Sequence, residues 1–475
     1  MSTTSQASQR INALLDENSF VEIGGLVTAR ATDFNLKQTE TPSDGVVTGY
    51  GVIDGNLVYV YSQDASVLNG SVGEMHAKKI ANLYDLAMKT GAPVIGLIDS
   101  AGLRLQEATD ALNGFGEIYM KQTLASGVIP QITAVFGSCG GGLAVIPGMT
   151  DFTFMEEKKA KLFVNSPNAL EGNEISKCDT SAAAFQSEET GLVDMVADEA
   201  SILAQIRQLV SILPANNADL ALEECTDDLN RACADIANCA GDTSIALSQI
   251  ADDGLFVEVK QNYAKDMVVG FIRLNGATVG AVANRTEVYN ADGEVTDKFD
   301  AVLSARGAEK AAEFINFCDA FDIPVLSLTN VTGFAATKCA EKRMAKAVSK
   351  LTYAFANATV PKVNVITGKA YGSAYVAMNS KAIGADITIA WPDAQIGMMD
   401  AKLAAKIICD GQGSDAIDAC AKEYAALQNN VTSAAKRGYV DQIVEPVDTR
   451  KYVIGAFEML ATKSEGRPEK KHGTV

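Results

Sequence analysis

The residues best suited to chemistry in this chain are glycines rather than reactive side chains. Gly137-Ser138-Cys139-Gly140-Gly141-Gly142 lies between two apolar runs, which reads as strand, loop and helix. A loop of this kind can turn several backbone N–H groups toward one point at a helix N-terminus, where they would hold an anion or a developing oxyanion. A nucleotide site shows the same order of elements, but the spacing lacks both GxGxxG and the GK[ST] of a P-loop. Close packing of a helix on a strand would use the same glycines, so the loop alone leaves these readings open.

Side chains offer less. Glu107 and Glu117 form a candidate acid/base pair of the hydratase kind, set against the plainer reading of two solvated helix-face carboxylates. His76 reads as a packed or capping histidine, and Lys78 and Lys79 either face solvent or supply a local basic patch for a phosphate-bearing ligand. With His76 and His472 the only histidines, a histidine metal site or a Ser-His-Asp triad has almost no raw material, and no metal site is expected.

The elements that must position the glycine loop occur twice. Pro93, Asp99, Gly102, Pro130, Gly137 and Gly141 are answered 231 positions later by Pro324, Asn330, Gly333, Pro361, Gly368 and Gly372. Their apolar flanks travel with them, so two copies of one fold are expected, paired domains rather than a solenoid. The second loop, Ala370-Tyr371-Gly372-Ser373-Ala374-Tyr375, then offers a second oxyanion-type site. In the first copy, residues 11–25 read as an amphipathic helix and turn, and Val46 to Asp64 as two strands joined through Asp54-Gly55. Glu74 to Lys89 reads as a helix, Pro93 to Asp99 as a buried strand, Phe115 to Ser126 as a helix, Gln131 to Phe136 as a strand, and a helix starts near Leu143. This alternation predicts an α/β fold with crossover connections and ligands at the strand carboxyl ends. Pro214 to Asp253 reads as the linker. The second copy starts near Leu255 with strands over Val268 to Ala283, and Ser464 to Val475 reads as an extended tail.

The 475 residues, 47% of them hydrophobic, are enough for two or three domains with large cores. A net charge of −19 argues against nucleic-acid partners and anionic membrane surfaces. The start shows no signal-peptide pattern and no apolar run is long enough to span a bilayer, so a cytoplasmic location is expected. The nine cysteines match no metal spacing and read as reduced packing thiols.

Seven stretches sharpen this picture: DGVVTGYG (Asp44 to Gly51), NGSVGEMHAKKI (Asn69 to Ile80), ASGVIPQI (Ala125 to Ile132), TDFTFM (Thr150 to Met155), FCDAFDIPV (Phe317 to Val325), AYGSAY (Ala370 to Tyr375) and GYVDQIVEPVDTR (Gly438 to Arg450). In these, and from about Asn12 to Gly473, the chain resembles the carboxyltransferase subunits of biotin-dependent acyl-CoA carboxylases and the related sodium-pump acyl-CoA decarboxylases. The resemblance implies two tandem crotonase-like domains, residues 1–235 for acyl-CoA and 236–475 for biotin, in a homo-oligomer that is a dimer or a trimer of dimers. It implies an active site between the N-domain of one subunit and the C-domain of another.

By the same resemblance, the Gly141 and Gly142 amides hold the thioester enolate oxygen, and the Ser373 and Ala374 amides hold the ureido oxygen of biotin. Lys78, Lys79, Ala101, Gly102 and Gly140 fall on the acyl-CoA side; Gly333, Phe334, Gly372 and Val376 fall on the biotin side. The implied activity moves a carboxyl group between carboxybiotin and the α-carbon of a short-chain acyl-CoA, propionyl/methylmalonyl or acetyl/malonyl. Run in reverse, it serves a methylmalonyl-CoA or glutaconyl-CoA decarboxylase. Carboxybiotin brings both the carbon dioxide and the base, so no protein base is required. The biotin rides on a separate carrier protein, because no Met-Lys-Met segment is present, and the further partner is a biotin carboxylase or a membrane decarboxylase subunit. A non-catalytic scaffold and a crotonase-type hydratase are the distant alternatives. The chain departs from the family at Asn330-Val331-Thr332-Gly333-Phe334, where DVPGF is common, at Cys339 to Met344, and at Ser373, where AYGGAY has glycine.

Overall fold

The computed structural model describes residues 5–30 and 40–468, so His472 and the end of the expected tail lie outside the described residues. The chain divides into two compact units, Met1–Ala221 and Leu222–Val475.

The first unit is built on an eight-stranded sheet. Val46–Ile53 and Asn56–Gln63 form an antiparallel hairpin, turned at Asp54 and Gly55, whose φ values of 49° and 82° suit the left-handed turn that matches strand twist. From Asn56–Gln63 onward the pairing is parallel, through Val94–Ser100, Gln131–Gly140, Phe152–Glu156 and Met195–Ala197. Val94 to Ile98 are all buried, as expected of a strand covered on both faces. The helices Glu74–Thr90 and Ala108–Ala125 are the crossovers that a parallel sheet requires. The first of these ends at Gly91, φ 66°, the left-handed stop that glycine provides.

The second unit repeats the order strand for strand. Val325–Val331 and Lys362–Tyr371 begin 231 positions after Val94–Ser100 and Gln131–Gly140. The opening hairpin, Met267–Leu274 and Ala277–Asn284, lies only 221 positions after its counterpart. The ten extra residues fall between this hairpin and the helix Ala305–Ala320, where Glu287–Tyr289 and Val295–Lys298 make a small sheet of their own.

Three expectations shift. The first helix is Gln6–Leu14, with Ser5 as its N-cap accepting from the Ser8 amide, rather than starting at residue 11. The strand expected to stop at Phe136 runs to Gly140, because Ser138 to Gly140 pair with Lys161–Phe163. The linker segment is folded at its C-terminal end: Cys233 and Ile236 join the second unit's core, and Thr243–Ile250 is a helix capped by Asp242. The buried Arg450 ties this segment down, donating to the Asp228 and Ile250 carbonyls and pairing with Asp252 and Asp227.

Candidate functional site

Each unit carries the same turn at the carboxyl end of its longest strand. Gly140 ends the first strand in extended backbone, Gly141 switches to φ 65°, and a short helical run begins. Tyr371 ends the second strand, Gly372 switches to φ 62°, and the helix Gly372–Ala377 begins. A side chain at either glycine would strain a left-handed backbone. The amides that open a helix have no acceptor inside it, so Gly141 and Gly142 in one unit, and Ser373 and Ala374 in the other, can offer N–H groups to an anion.

Ser373 fits this role without strain. Its repeat counterpart is Gly142, and neither residue has a positive φ; the glycine-demanding position is the one before, which stays glycine in both copies. The strict repeat also shows that the two expected amide pairs overlap at Gly142 and Ser373 but differ in their second member.

Around the first turn, Ala101 and Gly102 leave the neighbouring strand. The Ala101 amide bonds the Asn69 carbonyl at 2.9 Å, the Gly102 amide bonds Ser100 Oγ at 3.1 Å, and Gly102 has φ 90°. A Cβ on Gly102 would stand 3.4 Å from the Gly140 carbonyl, so these two glycines adjoin. Lys78 is exposed and its amine pairs with Glu74 at 2.7 Å. Lys79 behaves otherwise: it is buried, its amine donates to the Ser43 and Val46 carbonyls, and burial pulls it down to about 8. It therefore pins the loop before the hairpin and does not extend a basic patch.

In the second unit Lys310, at the repeat position of Lys79, reaches the carbonyls of Lys260, Tyr263 and Met267 at 2.8, 2.8 and 2.7 Å. Gly333 accepts from the Leu303 amide at 2.9 Å, as Gly102 does from Val72 at 2.8 Å. Phe334 and Val376 are 36% and 37% exposed, so both present apolar surface to solvent or ligand. At the altered position Asn330, the side-chain oxygen accepts the Lys369 amide at 3.0 Å. Its counterpart Asp99 instead pairs with Arg10, 3.3 Å away.

The candidate carboxylate pair does not form. Glu107 is buried, bonded to Arg104 at 2.8 Å and to the Glu74 amide at 2.5 Å, where it caps the helix Glu74–Thr90. Glu117 is exposed on its helix. Arg104 also meets Asp44 at 2.7 Å, so one buried guanidinium serves two buried carboxylates, and burial raises the Asp44 carboxyl above its ordinary value. His76 completes the cluster. Its Nδ1 faces the Asp44 carbonyl at 3.0 Å and so must donate, which leaves Nε2 to accept from Gln63 Nε2 at 3.2 Å. The ring is neutral, and burial, with Arg104 nearby, holds it down at about 3. Arg104 and Asp44 escaped the sequence reading because nothing in their spacing marks them as partners.

No helix among the described residues is long and apolar enough to cross a membrane. The carboxyl transferase domain family matches residues 4–475. The chain is 40% identical, over 99% of its length and 92% of the relative's, to methylmalonyl-CoA decarboxylase subunit alpha of Propionigenium modestum. It is 41% identical, over 99% and 93%, to the propionyl-CoA carboxylase beta chain of Roseobacter denitrificans. The transcarboxylase 12S hexamer, solved with methylmalonyl-CoA and methylmalonic acid bound, superposes with a TM-score of 0.92 at 36% identity, covering 98% of this chain and 92% of that one. The two repeated α/β units are thus of crotonase-like fold, and the chain belongs to the carboxyl transferase family of enzymes.

Proposed function

We propose that this chain is the carboxyltransferase subunit that moves a carboxyl group between biotin on a separate carrier protein and the α-carbon of a short-chain acyl-CoA, with methylmalonyl-CoA and propionyl-CoA as the favoured pair. The observation that carries the reading is the doubled turn, Gly141 in one unit and Gly372 in the other, at the same backbone angle. Two turns suit a reaction in which two different carbonyl oxygens gain negative charge.

In the first unit the Gly141 and Gly142 amides receive the thioester oxygen as it becomes an enolate, and Ala101, Gly102 and Gly140 form the wall along which the acyl-CoA lies. Preorganised amides of this kind are worth about 3 to 4 kcal/mol of transition-state stabilisation. Lys78 is the exposed amine of the pair and reaches a CoA phosphate by exchanging its ion pair with Glu74. In the second unit the Ser373 and Ala374 amides receive the ureido oxygen, beside Gly333, Phe334, Gly372 and Val376. The donor set suits that group, since an open N–H pair at a helix start matches a carbonyl-type oxygen and needs no charged side chain. Carboxybiotin, when bound, supplies the carbon dioxide and the basic nitrogen. The chain's own residues orient the two ligands and exclude water, which accords with Glu107 and His76 being occupied elsewhere.

The partner is then a biotin carrier together with either a biotin carboxylase or a membrane decarboxylase subunit, in a cytoplasmic homo-oligomer. Nine unpaired thiols suit a reducing compartment. The test is carboxyl transfer from methylmalonyl-CoA to free biotin by the purified chain. Turnover that depends on biotin is expected; biotin-independent hydration, or no turnover with any acyl-CoA, would overturn the reading.

A further inference from the structure

We propose that Tyr119 is a positioning residue for the anion-binding turn of the first unit, its hydroxyl both holding the Gly142 carbonyl and crowding any side chain at position 142. The inference rests on the assignment of the Gly141 and Gly142 amides made above.

Tyr119 sits one turn after Phe115 on the helix Ala108–Ala125, and the two rings stack with centroids 6.1 Å apart and planes 6° from parallel. The stack fixes where the hydroxyl can go. It donates to the Gly142 carbonyl, which also accepts the Val145 amide. Two donors on one carbonyl hold the Gly142–Leu143 peptide in one plane, since the peptide bond does not rotate. The Gly142 amide belongs to the preceding peptide and meets this plane only at the Gly142 Cα, so the hydroxyl anchors the C-terminal side of Gly142 and through that Cα restricts how far the residue and its amide shift when no ligand is present. Burial raises the Tyr119 hydroxyl above the usual phenol range, and it remains a donor throughout the neutral range.

The hydroxyl has a second effect. A Cβ on Gly142 would stand 3.2 Å from Tyr119 Oη and 3.7 Å from the Phe115 ring. The Gly142 backbone does not itself demand glycine, and the second copy carries the exposed Ser373 at this place. The turn therefore accommodates a Cβ by its own geometry, and in the first unit it is the tyrosine that crowds one out. The two copies have diverged at this point: one turn is braced from above, the other is open.

The experiment measures kcat, the KM for methylmalonyl-CoA and the melting temperature of the full-length chain, with free biotin as acceptor, for wild type, Tyr119→Phe, Gly142→Ser, the double variant and Gly141→Val. Tyr119→Phe keeps the stack on Phe115 and removes one hydrogen bond. It is expected to lower kcat by about three- to tenfold while KM stays within about twofold. Gly142→Ser is expected to lose more than that, and the double variant to recover part of the loss, because the hydroxyl that crowds Cβ has gone. A kcat for Tyr119→Phe equal to wild type, a loss confined to KM, or a fall in melting temperature that accounts for the lost activity would each overturn the positioning role. If Gly141→Val is inactive while Tyr119→Phe is unaffected, only this inference fails. If Gly141→Val is active, or the wild type shows no transfer, the underlying assignment fails and this inference with it.

Discussion

Gly141 and Gly372 share one backbone state, φ 65° and 62°, each placed directly after a ten-residue parallel strand. A Cβ at Gly141 meets no atom within 4 Å and one at Gly372 meets only the Met398 carbonyl, at 3.2 Å, so room for Cβ is not the main obstacle. The cost is backbone strain, about 1 to 3 kcal/mol for a non-glycine residue held left-handed, and more for a β-branched one. The peptide relieves that strain by turning, and its amides lose their aim. Gly141→Val and Gly372→Val are each expected to cut carboxyl transfer by about a hundredfold or more while the melting temperature moves by only a few degrees. Steady-state transfer with a parallel melt checks this, and near-normal turnover in Gly141→Val would refute the assignment.

Lys79 and Lys310 are expected to matter for stability. Lys310→Met would strand the Lys260, Tyr263 and Met267 carbonyls, and Lys79→Met the Ser43 and Val46 carbonyls. Each loss is about 2 to 5 kcal/mol, with Lys310 the larger because three acceptors depend on it. Lys78→Met, at an exposed side chain, is expected to leave stability within about 0.5 kcal/mol and to raise the KM for acyl-CoA. Chemical denaturation and KM measurements separate the two roles; a Lys79→Met variant of normal stability but raised KM would return Lys79 to the ligand side.

These two lysines show where the sequence could be read and where it could not. The opening hairpins, the strands near Pro93 and Gln131 and the doubled loop were legible, because Val94 to Ile98 and the glycines carry their own local signals. The N-terminal helix was mistimed, since its Ser5 cap lies six residues before Ile11, the apolar residue from which it was counted. Lys79 looked like a surface charge because a helix written with two adjacent lysines does not say which one points inward. Its repeat partner Lys310 was a clue, for a charge kept at the same place in both copies suits a shared structural duty. The buried triad of Asp44, Arg104 and Glu107 had no such signal, as its members are brought together only by tertiary structure.

Glu107→Gln tests the carboxylate reading directly. Its carboxylate accepts from Arg104 and from the Glu74 amide, so the amide replacement removes one of the two carboxylates flanking the buried guanidinium and weakens the capping bond to the Glu74 amide. The expected result is a loss of about 2 to 4 kcal/mol in stability and a transfer rate per folded molecule within about threefold of wild type. A rate loss of several hundredfold in a fully folded variant would instead make Glu107 an acid/base group.

His76 and Asp151 are expected to pull the stability of the first unit in opposite directions over the same acid range. Folding holds His76 neutral, at about 3 against 6.5, with Arg104, Asp44 and Lys79 around it. Between those values the unfolded chain binds the extra proton, so this contribution to stability falls as pH falls. Asp151 is partly exposed, lies near Asp194, accepts from the Gln131 amide at 2.7 Å, and is pushed up to about 7 from 3.8 by desolvation of its carboxylate. Here the folded chain holds the extra proton, so this contribution falls as pH rises from about 4 to 7. Each slope is about 1.4 kcal/mol per pH unit, and between pH 4 and 6.5 they offset each other. Relative to wild type, Asp151→Asn is expected to steepen the loss of stability on acidification, and His76→Gln to make the protein gain stability on acidification. Urea unfolding at half-unit steps from pH 4 to 7.5 reads both slopes, and variants whose curves run parallel to the wild type would remove both residues from the account of acid stability.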